Sequence, residues 1–250
     1  MFKLYKSILF IVIFSLALVF FSTGVRAISV EEIIDRIDEN EYYQQVEMEA
    51  EMIIIDGGRK MVKEMTTVAR DNKALVRFNN PRDRGTKYLK KGDDLWMYFP
   101  EAEDVVKISG HMLEQGMMGS DFSYQDIMEA DKLTDLYEFE LTGEEKYNDR
   151  SCYLVEGVAR EGKEVSYYRR KIWIDKERFI ALKEELYAES DRLLKVSIVE
   201  EVDEIDGRWY PVKSVMENKL REDTRTEFEI KSIDFNPTIE EGVFSRDNLQ

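Results

Sequence analysis

Cysteine and histidine are almost missing: the 250-residue chain has one of each. A single cysteine, Cys152, excludes an internal disulfide framework. It sits in the strand-like run Cys152-Tyr153-Leu154-Val155, where a buried structural thiol is the natural reading. A single histidine, His111, excludes a zinc site built on a histidine pair, and a Ser-His-Asp triad would rest on it alone. His111 lies beside Gly110 and reads as an exposed loop residue. Basic residues are also in deficit, 36 against 52 acidic ones, for a formal net charge of −16. A surface of that sign repels nucleic acid and anionic headgroups. The surplus acids form runs such as Glu200-Glu201-Val202-Asp203-Glu204 and Glu138 to Glu145. No D-x-D-x-D-G loop arranges them for calcium, and the solvated outer face of strands accounts for them. The residues thus point to no catalytic group, no metal and no cofactor.

The N-terminus is the one long apolar run. Lys3 and Lys6 precede an apolar core of 14 residues from Ile8 to Phe21, and Val25-Arg26-Ala27 ends in small residues. The core is shorter than the roughly 20 residues of a membrane-spanning helix. This pattern predicts a secretory signal peptide over 1–27, cleaved after about Ala27. No cysteine follows that point, so no N-terminal lipid anchor is expected, and the exported chain is expected to be soluble and periplasmic. The leader holds Lys3, Lys6 and Arg26 and no acid, so its loss takes the net charge to −19. Residues 28–250 are expected to form a single β-rich domain, since no linker or solenoid repeat divides them.

Ser29-Val30-Glu31-Glu32 is a capping box, and Val30, Ile33, Ile34 and Ile37 give one apolar face to a helix running to about Asn40. From Gln44 the period changes to two. Met48, Ala50, Met52 and Ile54 alternate with Glu47, Glu49 and Glu51, a strand with one apolar face. Asp56-Gly57-Gly58-Arg59 turns it back through Met61 to Arg70. Further strands are expected at Ala74–Phe78, Gly85–Lys90, Leu95–Phe99 and Val105–Ser109. After a short helix from Tyr124 to Glu129, capped by Asp121 or Ser123, strands resume at Tyr137 and continue to Phe235. Val243-Phe244 is expected to pin the tail. Short connections make neighbouring strands antiparallel. A sheet of about a dozen strands curls, which gives a barrel or half-barrel with a concave apolar face.

That face needs a cover. The N-terminal helix and the segment from Gly110 to Ala130 are the available pieces. The latter carries Met112, Leu113, Met117, Met118 and Phe122 among three glycines and reads as a mobile apolar flap. Met112, Met117, Met118 and Phe122 are therefore the expected lid side chains. Met48, Met52, Ile54, Leu89, Trp96 and Tyr98 are expected as cavity lining, although alternation alone shows burial and not an empty cavity. Gly119, Ser120, Asp121 and Tyr124 are expected to serve structure, Asp121 and Ser120 chiefly as helix caps.

Several stretches carry a family resemblance: Gly85-Thr86-x-x-Leu89, Asp94-Leu95-Trp96-x-Tyr98-x-Pro100, and Ile108-Ser109-Gly110 followed by Gly119-Ser120-Asp121-Phe122-Ser123-Tyr124. Trp173-Ile174-Asp175 and Asn236-Pro237 with Phe244 fit the same pattern. They resemble the LolA-like outer-membrane lipoprotein-sorting proteins, from about Met48 to Phe244. The resemblance implies an unclosed antiparallel β-barrel, short helices as a lid, and a hydrophobic cavity for acyl chains of lipoproteins or other lipids. It also implies a membrane-protein donor and acceptor, a monomeric carrier and no catalysis. A binding module that senses lipidated or misfolded protein, like the related RseB-type domains, is the alternative it leaves.

Overall fold

The computed structural model describes residues 28–129 and 133–249. The leader expected at 1–27 lies outside these described residues. Helix α1 (Val30–Glu41) starts at Ser29, whose hydroxyl accepts from the Glu32 N–H at 3.2 Å. Its apolar face, centred on the fully buried Ile33, packs against Val155, Ile172 and Ile174.

Thirteen strands follow. The first six are β1 (Gln45–Asp56), β2 (Arg59–Arg70), β3 (Lys73–Phe78), β4 (Lys87–Lys91), β5 (Asp94–Phe99) and β6 (Asp104–Ile108). Two short helices, α2 (Tyr124–Glu129) and α3 (Leu133–Leu136), intervene. Then come β7 (Tyr137–Tyr147), β8 (Arg150–Ala159), β9 (Arg169–Asp175), β10 (Ala181–Tyr187), β11 (Leu193–Ile205), β12 (Arg208–Asn218) and β13 (Thr224–Asp234). All belong to one antiparallel sheet in the order β6-β5-β4-β3-β2-β1-β13-β12-β11-β10-β9-β8-β7. Each half is a meander of hairpins, and one long-range pairing, β1 with β13, joins them through pairs such as Met52 with Phe228 and Ile54 with Thr226. The sheet is unclosed: β6 and β7 are its two free edges. The segment from 109 to 136 connects those edges.

The expected strands all form, and the acidic runs of residues 138–145 and 200–204 lie within two of them. Strand β7 continues through Glu144 and Glu145 to a turn at Asn148-Asp149, both with positive φ. Strand β11 continues to Ile205 and turns at Asp206-Gly207. Charged residues on an outer face resemble turn residues, yet they pair like any others in a ladder.

Alternation sorts the side chains into two faces. The inner face carries Met48, Ala50, Met52 and Ile54 from β1, Met65 from β2, Phe78 from β3, Tyr88 from β4, and Leu95 and Met97 from β5. Helix α1 covers the inner face of β8 and β9, and the segment of residues 110–129 covers β1–β5 and reaches β11 and β13. The outer face of β2–β5 is covered too. Val68, Leu75, Leu89 and Trp96 pack there beneath Phe244 and Leu249 of the C-terminal tail, as Val243-Phe244 led us to expect.

Candidate functional site

The Gly110–Glu129 segment is not the loose flap that its glycines suggested. The chain doubles back on itself, with a bridge between Gly116 and Ser123. The Met117 N–H donates to the Phe122 carbonyl at 2.8 Å, Ser120 N–H to Met117 at 2.9 Å, and Gln125 N–H to Leu113 at 2.8 Å. Gly116 has to be glycine: a Cβ there would lie 2.0 Å from the Ser120 carbonyl oxygen. The result is a compact loop that projects its apolar side chains downward. Met117 and Tyr124 are buried in the inner-face cluster, and Met112, Leu113, Met118, Phe122 and Ile127 are half-buried against it.

Aromatic contacts fix this cover to the floor. The Tyr88 and Tyr124 hydroxyls are 3.0 Å apart and their rings 5.6 Å, and the Tyr88 hydroxyl also lies 3.2 Å from the Met118 sulfur. Burial, reinforced by Tyr124, pushes the Tyr88 phenol far above its ordinary range, so it stays neutral. Phe122 meets Phe228 edge to face with centroids 6.4 Å apart.

Polar contacts pin the other side of the cover to the second meander. Thr226, fully buried on β13, accepts from the Asp121 N–H at 2.9 Å and donates to the Asp121 carboxylate at 2.9 Å. Asp126 receives the Lys195 ammonium at 2.9 Å and the Tyr167 hydroxyl at 2.6 Å. Glu129 accepts from the Ser166 N–H at 3.0 Å. Helix α2 is capped by Ser123, whose hydroxyl accepts from the Asp126 N–H at 3.1 Å while Asp126 accepts from the Ser123 N–H at 2.7 Å. The expectation that Asp121 and Ser120 are caps is therefore corrected. Asp121 is a clamp to β13, and the Ser120 hydroxyl bonds within its own loop, to Phe122. Gly119 turns the loop with φ of +84°.

The ten side chains expected to share one cavity divide between two faces. Met48, Met52, Ile54, Met112, Met117, Met118 and Phe122 come together on the inner face. Leu89, Trp96 and Tyr98 do not join them: they belong to the outer-face cluster under the tail. In Leu95-Trp96-Met97-Tyr98-Phe99 both faces are apolar, so alternation carried no label for inside. The inner positions are their neighbours Tyr88, Leu95 and Met97. Tyr88, Phe228, Lys195 and Thr226 were missed because their partners are far away in sequence, and no local pattern marks them.

Between cover and floor remains a cavity of about 30 Å³, bounded by Val76, Tyr88, Leu95, Met117, Tyr124 and Ile127. It has room for a water or two. Among the described residues of its lining Lys90 is the one charged side chain, 8 % exposed, with its ammonium 3.4 Å from the Ile127 carbonyl.

A protein-family model described as uncharacterized-protein-like matches residues 70–250. The chain belongs to that family. No curated protein matches it. Among solved structures, a DUF1329 family protein from Desulfovibrio piger is 29 % identical with a TM-score of 0.81, covering 88 % of this chain and 97 % of its own. An outer membrane lipoprotein-sorting protein domain from Vibrio parahaemolyticus is 25 % identical, TM-score 0.76, with the same coverage of 88 % and 97 %. A LolA superfamily protein from Nitrosomonas europaea, 22 % identical, matches in fold with a TM-score of 0.73 over 89 % of this chain and 100 % of that one. The fold implied by the sequence resemblance is the fold this family member has: LolA-like, mainly β and unclosed.

Proposed function

We propose that this LolA-like protein is an exported periplasmic carrier that shields acyl chains, of lipoproteins or of other lipids, between its inner face and the methionine-rich cover. The single observation that carries the reading is the apolar inner face of β1–β5, packed beneath a methionine-rich cover from the connection between the two edges of the sheet, with a cavity of about 30 Å³ between them. The kinship with a lipoprotein-sorting domain supports the same reading.

Moving an acyl chain of about 16 carbons out of water is worth on the order of 12 kcal/mol at ~0.8 per CH₂. A carrier that retained all of it could not unload. Here cargo has to displace Met112, Met117, Met118 and Phe122, so net affinity is the difference between two apolar burials. Unbranched methionine repacks against many shapes and suits that exchange. Met48, Met52 and Ile54 form the floor. Lys90 would face the polar end of a chain lodged beside Tyr88. Loading and unloading then involve a donor and an acceptor at the membranes, and no step needs a catalytic group.

The test is native mass spectrometry of the exported protein purified without detergent, followed by lipid extraction. The expected result is an adduct of acyl-lipid mass that disappears when Met117 and Met118 are replaced by glutamate. An adduct-free protein whose melting temperature does not respond to added lipid would sink the carrier reading.

A further inference from the structure

The outer face holds a feature that acyl binding does not use. Arg70 ends β2, Lys73 opens β3 and Lys91 ends β4, and the register sets Arg70 opposite Lys73 and Lys73 opposite Lys91. Like charges placed directly across strands are destabilising. The chain has acids to spare, yet none of the three forms an ion pair among the described residues.

The tail completes an enclosure around them. Gly242, with φ of +87°, starts a turn closed by the Ser245 N–H donating to the Gly242 carbonyl at 2.8 Å. This turn buries Phe244 and brings Arg246 over the sheet. The Arg70 guanidinium lies 5.7 Å from the centre of the Phe244 ring, and that of Arg246 lies 5.5 Å from the Trp96 ring. Between tail and strand ends is a solvent-open cavity of about 490 Å³. Among the described residues, its wall contains four cations, Arg70, Lys73, Lys91 and Arg246, against one carboxylate, Asp247.

We propose that this cavity binds a phosphate-bearing anion, presented as a lipid headgroup at a bilayer surface or as a soluble phosphate ester. Two guanidinium forks oriented by aromatic rings and two ammonium point charges match the oxygens of a phosphate. The ligand relieves the cross-strand repulsion that the empty site tolerates. The negative charge on the rest of the surface repels extended anions, nucleic acid and a densely anionic bilayer alike, so a headgroup is engaged singly at this patch. A single phosphate responds to the local cluster, within a Debye length of about 8 Å. The site is on the face opposite the cover, so it stands independently of the acyl cavity.

The experiment uses the full exported protein and its Lys73→Gln/Lys91→Gln variant. Glycerol 3-phosphate binding is followed by calorimetry, and association with phosphatidylglycerol or phosphatidylcholine vesicles by sedimentation. The expected result is binding to glycerol 3-phosphate, to phosphatidylglycerol vesicles alone, or to both. In the variant it is weaker by about tenfold or more, from the loss of charge-assisted hydrogen bonds. Its melting temperature is unchanged or higher because repulsion is relieved. Glycerol 3-phosphate without vesicles identifies a soluble ester, and vesicles without glycerol 3-phosphate a headgroup at its surface. If neither glycerol 3-phosphate nor phosphatidylglycerol vesicles bind, or if the variant binds as tightly as wild type, the proposal is overturned.

Discussion

The hydroxyls of Tyr88 and Tyr124, 3.0 Å apart and buried, join the cover to the sheet at the rim of the inner cavity. Tyr124 ends the Gly119-Ser120-Asp121-Phe122-Ser123-Tyr124 stretch, and Tyr88 is on β4, so a bond between side chains couples loop to floor. Replacing Tyr124 by phenylalanine keeps the ring and removes the bond. The expected loss is about 1 kcal/mol in urea unfolding. Hydrogen exchange should show the residues 113–125 amides opening more often, with the β1–β2 ladder unchanged. Equal loss of protection in both places would mean that the tyrosine pair supports the whole fold and not the cover.

Asp121 gives the cover a pH dependence. Burial raises its carboxyl above the ordinary value, against the opposing hydrogen bond from Thr226 and the charges of Arg221 and Lys195. The folded protein therefore holds that proton more tightly than the unfolded chain. Its charge is a cost above the raised value, and stability is regained as pH falls through it toward 3.8. Asp121→Asn keeps an acceptor for the Thr226 hydroxyl and removes the charge. The variant should match or exceed wild-type stability at pH 7, and wild type should gain on it as pH drops toward 4. A gap between the two that stays constant over this range would show that the Asp121 charge is not felt.

Asp175 behaves in the opposite sense. It is 1 % exposed at the end of β9. Burial raises its carboxyl, but the Arg150 guanidinium at 2.6 and 3.0 Å and the N–H groups of Glu177 and Arg178 outweigh it and leave it below the usual value. The stability this confers is present above pH 3.8 and is lost as pH falls through the depressed value. Asp175→Asn should cost about 2 kcal/mol at pH 7, and the difference from wild type should shrink below pH 3.8. Chemical denaturation at both pH values measures it.

What the sequence made legible was what is periodic or local. Alternation in Met48 to Ile54 marked the inner face of β1, Gly57-Gly58 its turn, and Ser29 the start of α1. Trp96 and Leu89 were misplaced because their strands are apolar on both sides, and the tail that buries the outer face begins more than a hundred residues later. Asp121 was read as a cap because a carboxylate before a helix normally is one; its partner Thr226 is brought near by the β1–β13 pairing alone. Net charge concealed Arg70, Lys73 and Lys91, since a total of −16 says nothing about register.

Trp96 and Met97 are adjacent in β5 and lie on opposite faces, Trp96 under Phe244 and Met97 in the cluster beneath the cover. Both are buried, so truncation of either to alanine should cost stability, about 3–5 kcal/mol for Trp96 and 2–5 for Met97. Their effects on acyl binding should differ. Met97→Ala enlarges the space beneath Tyr124 and Met117 and weakens the packing that cargo has to displace, so a fluorescent fatty acid should bind more tightly. Trp96→Ala leaves that space untouched and should change the affinity little while the protein remains folded. Titrations well below both melting temperatures separate the two. If Trp96→Ala shifted fatty-acid affinity and Met97→Ala did not, cargo would belong on the outer face beneath the tail, and the carrier reading would have to be rebuilt there.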